Sequence, residues 1–433
     1  MRPPFYVRQL KRDLEEWIAK GLVPATSRDA ILESVGAESR TRLDLIFAVF
    51  GVILVGAGAM SFVAANWEAM GKFSRLVVLF GTMWAAYALA MYFIASSREV
   101  IGQAFILLGV LMFGANIMLI AQTYNINAHF PDGVMLWALG ALAAAVIGYS
   151  RAALAAALAL GSLWTWQEYS YFDVVLHIPF LFFWAACAAM AFIFAWRPGV
   201  HLTLLSFLFW FVLNTEGFAR LLGWGEAESV TIYIFVPLAI WASMQLFEGR
   251  GNAFSITASH YAFFVFLLSY AALHFADNGD QPPGSSWMFF AVITSVIALA
   301  AGVAGVARKS INGIDLLGIA FTCGTTIAYV YWVKRNDDGL DVLYLAFTLL
   351  VILWSLQRGV RIEDRFVINL STALFGAWVI YVYFVLFNDR IDTTVFFLVG
   401  GLLLILLGLG LESLRRRLVA ATPQAPAATG ATS

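Results

Sequence analysis

Apolar residues run along this chain in long unbroken blocks. Fourteen of them lie near 45–65, 76–96, 102–121, 134–149, 152–166, 174–196, 199–214, 229–247, 254–275, 287–307, 315–333, 341–356, 365–387 and 393–411. Each is rich in Leu, Ala and Phe and lacks the alternation of a lipid-facing barrel strand. A block of roughly 20 apolar residues suits a helix that crosses the hydrocarbon of a bilayer. The pattern therefore predicts an all-α polytopic membrane protein with about 14 transmembrane helices. The fourth, fifth, seventh and twelfth blocks are short. Only Ser150 and Arg151 separate the fourth from the fifth, which predicts a tight hairpin or a partly re-entrant pair.

Residues 1–44 follow a different rule. Leu10, Leu14, Trp17 and Ile18 fall at the spacing of an amphipathic helical stripe. Gly21 ends that helix, Pro24 marks the turn, and Thr26 with Asp29 reads as a capping box. Ile31, Leu32 and Val35 form the apolar side of a second short helix, giving a small helical hairpin. It either packs on itself and the first spans or docks a cytoplasmic protein. No cleavable signal peptide is expected, because the first long apolar run begins only near Leu45. After Arg417 the chain turns to Ala, Thr and Pro without periodicity, which predicts a disordered tail.

Composition supports the same class. Of 433 residues 61% are hydrophobic and 12% charged, and the mean hydropathy is +0.82. A soluble domain carries about 25% charged residues, so this chain could not clothe a water-facing surface. The net charge of −1 offers nothing to attract nucleic acid. Cys187 and Cys323 are far apart in apolar runs and read as small packing residues.

Basic residues set the orientation. With the N-terminus inside, 20 Lys and Arg fall on the inner side, among them Arg98, Arg151, Arg250, Arg308, Arg358, Arg361 and Arg365. Six fall outside: Lys72, Arg75, Arg220, Lys334, Arg335 and Arg390. That asymmetry predicts both termini in the cytoplasm. Trp67, Trp164, Trp166, Trp224, Trp287 and Trp332 gather at the outer ends of spans, Trp196 and Trp354 at inner ends.

Candidate chemistry is sparse. The chain has no Walker A loop, HExxH, GxSxG, CxxC pair or Gly-rich dinucleotide turn. Span centres carry almost no Asp, Glu, Lys or Arg, which disfavours ion coupling through carboxylates. Polar residues favour outer span ends instead. Asn66, Trp67 and Glu68 close the first span; Gln122, Tyr124, Asn125, His129 and Asp132 close the third, with Asn116 inside it. Glu168, Tyr169, Tyr171 and Asp173 fall between the fifth and sixth. These residues either line an outward-facing polar pocket or simply cap helices within an aromatic belt. Asn116 is placed to bond across helices. The five histidines show no metal-ligand spacing on a shared helix, so no metal and no cofactor are expected. The Asp residues at 277, 280, 337, 338 and 341 do not match the calcium-loop pattern and read as turns. Pro179 and Pro237 are candidate kinks in the sixth and eighth spans.

A weak repeat aligns Gly51–Trp67 with Gly109–Tyr124 through Gly51/Gly109, Val52/Val110, Gly56/Gly114, Ala57/Ala115 and Met60/Met118. Within it, the runs AANWE (64–68) and FGANIMLIAQTY (113–124) resemble the bacterial multi-pass membrane proteins grouped as domain of unknown function 2157. The WIAKGLVP run at 17–24, the PDG turn at 131–133 and WALGAL at 137–142 extend the likeness over about residues 8–165. The resemblance implies a bacterial inner-membrane location; that family has no assigned reaction, so it implies no catalytic residue.

The resulting division is a hairpin at 1–44, a family-like membrane region at 45–166, further spans at 167–411, and a basic stop with tail at 412–433. The leading function is non-enzymatic: binding or moving a polar or amphipathic solute, a lipid ligand included, through the outward-facing pocket. An envelope scaffold recruiting a cytoplasmic protein through residues 1–44 is the alternative. An intramembrane enzyme on lipid-linked substrates would need Glu68 and His129 as an acid/base pair.

Overall fold

A computed structural model describes residues 10, 13–18, 20–28, 31, 50–51, 54–58, 61–62, 65–66, 69–126, 129–247, 253–276, 283–332, 339–387, 399–402 and 410. The first and fourteenth expected spans, the 29–44 helix, the Asp loops and the C-terminal tail fall wholly or largely outside them.

Among the described residues, twelve α-helices follow one another and no strand occurs. They are α1 (Lys72–Ala95), α2 (Glu99–Tyr124), α3 (Phe130–Ile147), α4 (Arg151–Phe172), α5 (Pro179–Ile193) and α6 (Arg197–Leu222). Then come α7 (Glu226–Met244), α8 (Ala253–Ala272), α9 (Ser285–Ala307), α10 (Gly313–Trp332), α11 (Gly339–Arg361) and α12 (Arg365–Phe387). They coincide in order with the second to thirteenth apolar blocks. Ten are long and apolar enough to cross a membrane. The other two are α4, whose last turns are polar, and α5, which has only 15 residues. The chain is thus an all-α polytopic membrane protein.

Several spans read as short are full helices. The seventh extends to α6, 26 residues, and the twelfth to α11, 23 residues. Polar residues do not stop α6, because Asn214 donates to the Trp210 carbonyl at 2.9 Å and Thr215 to that of Phe211 at 2.6 Å. Their groups are satisfied inside the helix, as hydrocarbon requires. Pro179 begins α5 rather than kinking it, at a position where its missing N–H costs nothing. Pro237 does lie inside α7. Between α3 and α4 the turn is tight, with Tyr149 at φ 46° and Ser150 Oγ accepting the Ala153 N–H at 3.2 Å.

The chain divides into two compact units, 1–156 and 157–433, with the boundary inside α4. In the first, α1 and α2 pack through Met83, Ala86, Ala104, Leu108 and Met112. Small residues let bulky ones in: a Cβ on Gly109 would stand 2.5 Å from the Tyr87 ring, and one on Gly114 2.1 Å from that of Trp137. The Trp137 indole N–H then reaches the Val110 carbonyl at 2.8 Å. Of the glycines paired with these in the repeat, a Cβ on Gly51 would meet nothing within 4 Å among the described residues, and one on Gly56 would stand 3.1 Å from Leu108. Near the start of the chain, Leu10 and Leu14 pack against Val23 and Ile31.

The second unit has one large core running through α7–α11, with Phe235, Trp241, Phe263, Phe266, Tyr270 and Trp287 buried in it. Two of its tyrosine hydroxyls are paired. Tyr270 shares a 2.7 Å hydrogen bond with Thr325, and Tyr344 donates to the Tyr270 carbonyl at 2.8 Å.

Candidate functional site

The residues singled out by sequence divide into three environments. Around the end where α1 begins, α2 ends and α3 begins, Gln122, Tyr124, Asn125 and Asp132 are exposed. The Lys72 ammonium lies 5.3 Å from the centre of the Tyr124 ring. Asn125 ends α2 in the left-handed conformation at φ 49°, an amide position of ordinary helix closure. His129 Nδ1 is 3.3 Å from Asp132 Oδ1. Asn66 is half-buried and donates to the Phe62 carbonyl at 2.9 Å. Trp67 and Glu68 lie outside the described residues, and with Glu68 the acid/base pair it would form with His129.

Asn116 is different. It is 2% exposed, and its Nδ2 donates to the Met112 carbonyl at 2.9 Å and across to the Leu79 carbonyl of α1 at 3.4 Å. Its Oδ1 is buried and has no hydrogen-bond partner among the described residues. The helix-to-helix bond is the one its place inside the span suggested. The third environment is in the second unit, where Glu168, Tyr169 and Tyr171 belong to the last turns of α4 and Asp173 follows it. There Glu168 accepts the Trp164 indole N–H at 3.2 Å, and Tyr169 donates to Glu216 at 2.6 Å.

A cavity of about 880 Å³ lies within the first unit, toward the opposite ends of α1 and α3. Its wall is apolar, from Met83, Tyr87, Ile94, Ile106, Phe113 and Ala144. Trp84 and Met91 at its rim are 65% and 73% exposed, so it opens on the surface. Two amides flank it. Asn116 Nδ2 sits 3.7 Å from the Met83 sulfur, and Gln103 Nε2 donates to the carbonyl of Gly148, another wall residue, at 3.4 Å. Gln103 Oε1, like Asn116 Oδ1, is buried without a hydrogen-bond partner among the described residues. Unmet buried acceptors are unusual in folded proteins and are accounted for by water or a ligand that donates.

The second unit holds buried charge that the sequence reading did not find. Asp315, in the first turn of α10, is 1% exposed and receives two guanidiniums on Oδ2, from Arg358 at 2.6 Å and Arg361 at 2.5 Å. Its Oδ1 accepts the Trp354 indole N–H at 3.2 Å. Arg358, itself 3% exposed, also donates to Gln245 Oε1 at 2.7 Å and lies 4.7 Å from the centre of the Trp241 ring. Gln245 passes the chain of bonds on to Ser259 at 2.7 Å. Next along α8, His260 meets Asp364 at 2.6 Å. Asp364 caps α12 through the Phe366 and Val367 N–H groups. Burial works against its charged form, but the His260 bond and charge, with those N–H groups, outweigh it and hold the carboxyl below its ordinary value. Charge counting had assigned Arg358 to a loop. The available signal was its spacing, one helical turn after Trp354 and one before Ile362.

A second buried histidine ties the α4–α5 connection to α6. His177 Nδ1 is 3.0 Å from Thr165 Oγ1, its backbone N–H donates to Asn214 at 2.6 Å, and its carbonyl accepts the Trp210 indole N–H at 2.8 Å. Burial lowers its pKa to about 4, so it is neutral at pH 7.

These long apolar helices define a multi-pass membrane protein. The family described as "Predicted membrane protein (DUF2157)" matches residues 15–154, the part of the chain that carries the AANWE, AQTY and WALGAL runs. The resemblance read from those motifs therefore holds for that stretch. No curated protein and no solved structure matches the chain.

Proposed function

We propose that this protein binds an amphipathic, lipid-like molecule within its first unit, in the inner membrane and with both termini cytoplasmic. The carrying observation is the cavity of about 880 Å³ between α1, α2 and α3. Ligand pockets span about 300–1,000 Å³, are mostly apolar and use a few placed polar groups. Here the wall is apolar, and the amides of Asn116 and Gln103 stand behind it on Met83 and Gly148, polar groups within reach of a ligand headgroup if those wall residues give way. Under the orientation given by the basic residues, the cavity opens in the inner half, while Gln122 to Asp132 stand at the outer end of α2. Movement of a solute between the two would run along α2 past Asn116.

The test is binding of a fluorescent long-chain alcohol to the detergent-solubilised full chain. Ala144→Phe, which fills the cavity, should weaken binding about tenfold, the equivalent of 1.4 kcal/mol, with helicity unchanged. Equal binding by the filled variant sinks the cavity. Loss of binding in a joint Asn66, Gln122 and Tyr124 substitution, but not in Ala144→Phe, would move the site to the polar outer end. The scaffold reading draws less support, because Leu10 and Leu14 already pack on Val23 and Ile31.

A further inference from the structure

The buried ion network of the second unit places two guanidiniums on one carboxylate. Asp315 carries one negative charge and holds two guanidiniums. Arg358 is enclosed by Gln245 and the Trp241 ring, whereas the Arg361 side chain is 31% exposed. Arg361 engages Asp315 through a single Nη2 atom. A guanidinium has five N–H donors, so most of its hydrogen-bonding capacity is not used on Asp315.

Beside it runs a groove of about 380 Å³ between α10 and α11. Ile314, Leu317, Leu350 and Leu353 line it and are 42–69% exposed. Gly318 makes the groove's floor possible: a Cβ there would stand 2.2 Å from the Trp354 ring, the same indole that donates to Asp315. At one end the groove reaches Gln357, exposed and one helical turn before Arg361, and Ile314, next to Asp315. From Ile314 to Phe321 it follows α10 for roughly 10 Å at the helical rise. An apolar trough thus leads away from the helix end that carries the partly exposed Arg361 guanidinium.

We propose that this groove seats an acyl chain of an anionic phospholipid whose phosphate is received by Arg361, with Gln357 beside it. Basic pockets between transmembrane helices suit such headgroups, and the guanidinium fork matches phosphate geometry. A zwitterionic lipid would fill the trough equally well but would bring its own cation to Arg361. A soluble anion would use Arg361 and leave the trough unused. Glu363 is exposed on the turn after Arg361 and is the nearest opposing charge in sequence.

The full chain is released from nanodiscs of equimolar phosphatidylglycerol and phosphatidylcholine and its retained lipids are counted by native mass spectrometry. Phosphatidylglycerol should exceed phosphatidylcholine about fivefold, as one basic residue near the membrane surface implies. Arg361→Gln should bring the two to parity and Arg361→Lys should keep much of the preference. Gln357→Glu lies outside the buried network, so it reads the same site without disturbing the fold; it should also abolish the preference. Leu317→Trp should lower retention of both lipids. Parity in the unmodified chain overturns the proposal, as does a preference that survives both Arg361→Gln and Gln357→Glu. Displacement of the lipid by inorganic phosphate alone would overturn it in favour of a soluble-anion site.

Discussion

The two units solve the problem of packing helices in lipid by different means. Glycines admit aromatic rings in both, Gly109 under Tyr87, Gly114 under Trp137 and Gly140 under Phe113 in the first and Gly161 under Phe183 and Gly318 under Trp354 in the second. In the first unit little else is added. Few polar groups cross between helices, and a large apolar cavity remains. In the second, aromatic rings fill the centre and the polar groups are chained into networks around Asp315, Tyr270 and His177. Apolar association in lipid gains nothing from water exclusion, so close approach and polar contacts must supply the specificity. Shape supplies it in the first unit. In the second it comes from a mixture of aromatic packing and buried charge, which is the more rigid solution and the less forgiving one.

Removing one partner from the buried network should break this comparison most severely. Asp315→Ala leaves Arg358 enclosed without its carboxylate and should cost about 3–5 kcal/mol, read as a fall in the midpoint of thermal unfolding in detergent. A loss under 1 kcal/mol would mean that the network behaves like a surface pair. Acid should act next. His177 binds protons near pH 4 when folded and near 6.5 when unfolded, so the unfolded chain takes up more protons between those values. Stability is full above about pH 6.5 and should fall by an order of 2–3 kcal/mol as the pH drops to 4. Unfolding midpoints across that range measure it, and His177→Gln should flatten much of the slope.

Overfilling the first unit probes shape alone. Gly114→Leu should cost about 1–3 kcal/mol, because Trp137 must leave its seat and its bond to Val110. Indole fluorescence of Trp137 in an otherwise Trp-depleted chain would report the move, and an unshifted spectrum would refute the seating. The smallest effect belongs to the surface: Lys72→Gln removes a cation from the Tyr124 face and should cost about 0.5–1 kcal/mol. A larger loss would show that the polar end of α2 organises the first unit more than its glycines do.

Much of this architecture is legible in one dimension. Apolar blocks place twelve helices correctly, and the GVLMFGAN run advertises the small residues that seat Tyr87 and Trp137. Asn116 is recognisable because an amide inside a span needs a partner within reach. Asp315 and Arg358 were not, since a charge near the end of an apolar block reads as a loop charge until the neighbouring helix is known. The two are 43 residues apart, and only folding reveals that they meet. Block lengths failed for the same reason at α6 and α11. A polar residue that bonds back to its own helix lowers hydropathy without ending the helix. The cavity has no sequence signature, because it depends on which apolar faces do not meet.

Asp315 also constrains how the chain is made. It enters the bilayer with α10, while both of its guanidinium partners arrive 43 and 46 residues later on α11. Alone, α10 carries an acid near its start that hydrocarbon penalises. With α11 beside it, the same acid ties the two helices through Trp354, Arg358 and Arg361. The expected consequence is that α10 and α11 insert most stably as a pair. A chain halted between the two helices would hold α10 only loosely in the membrane.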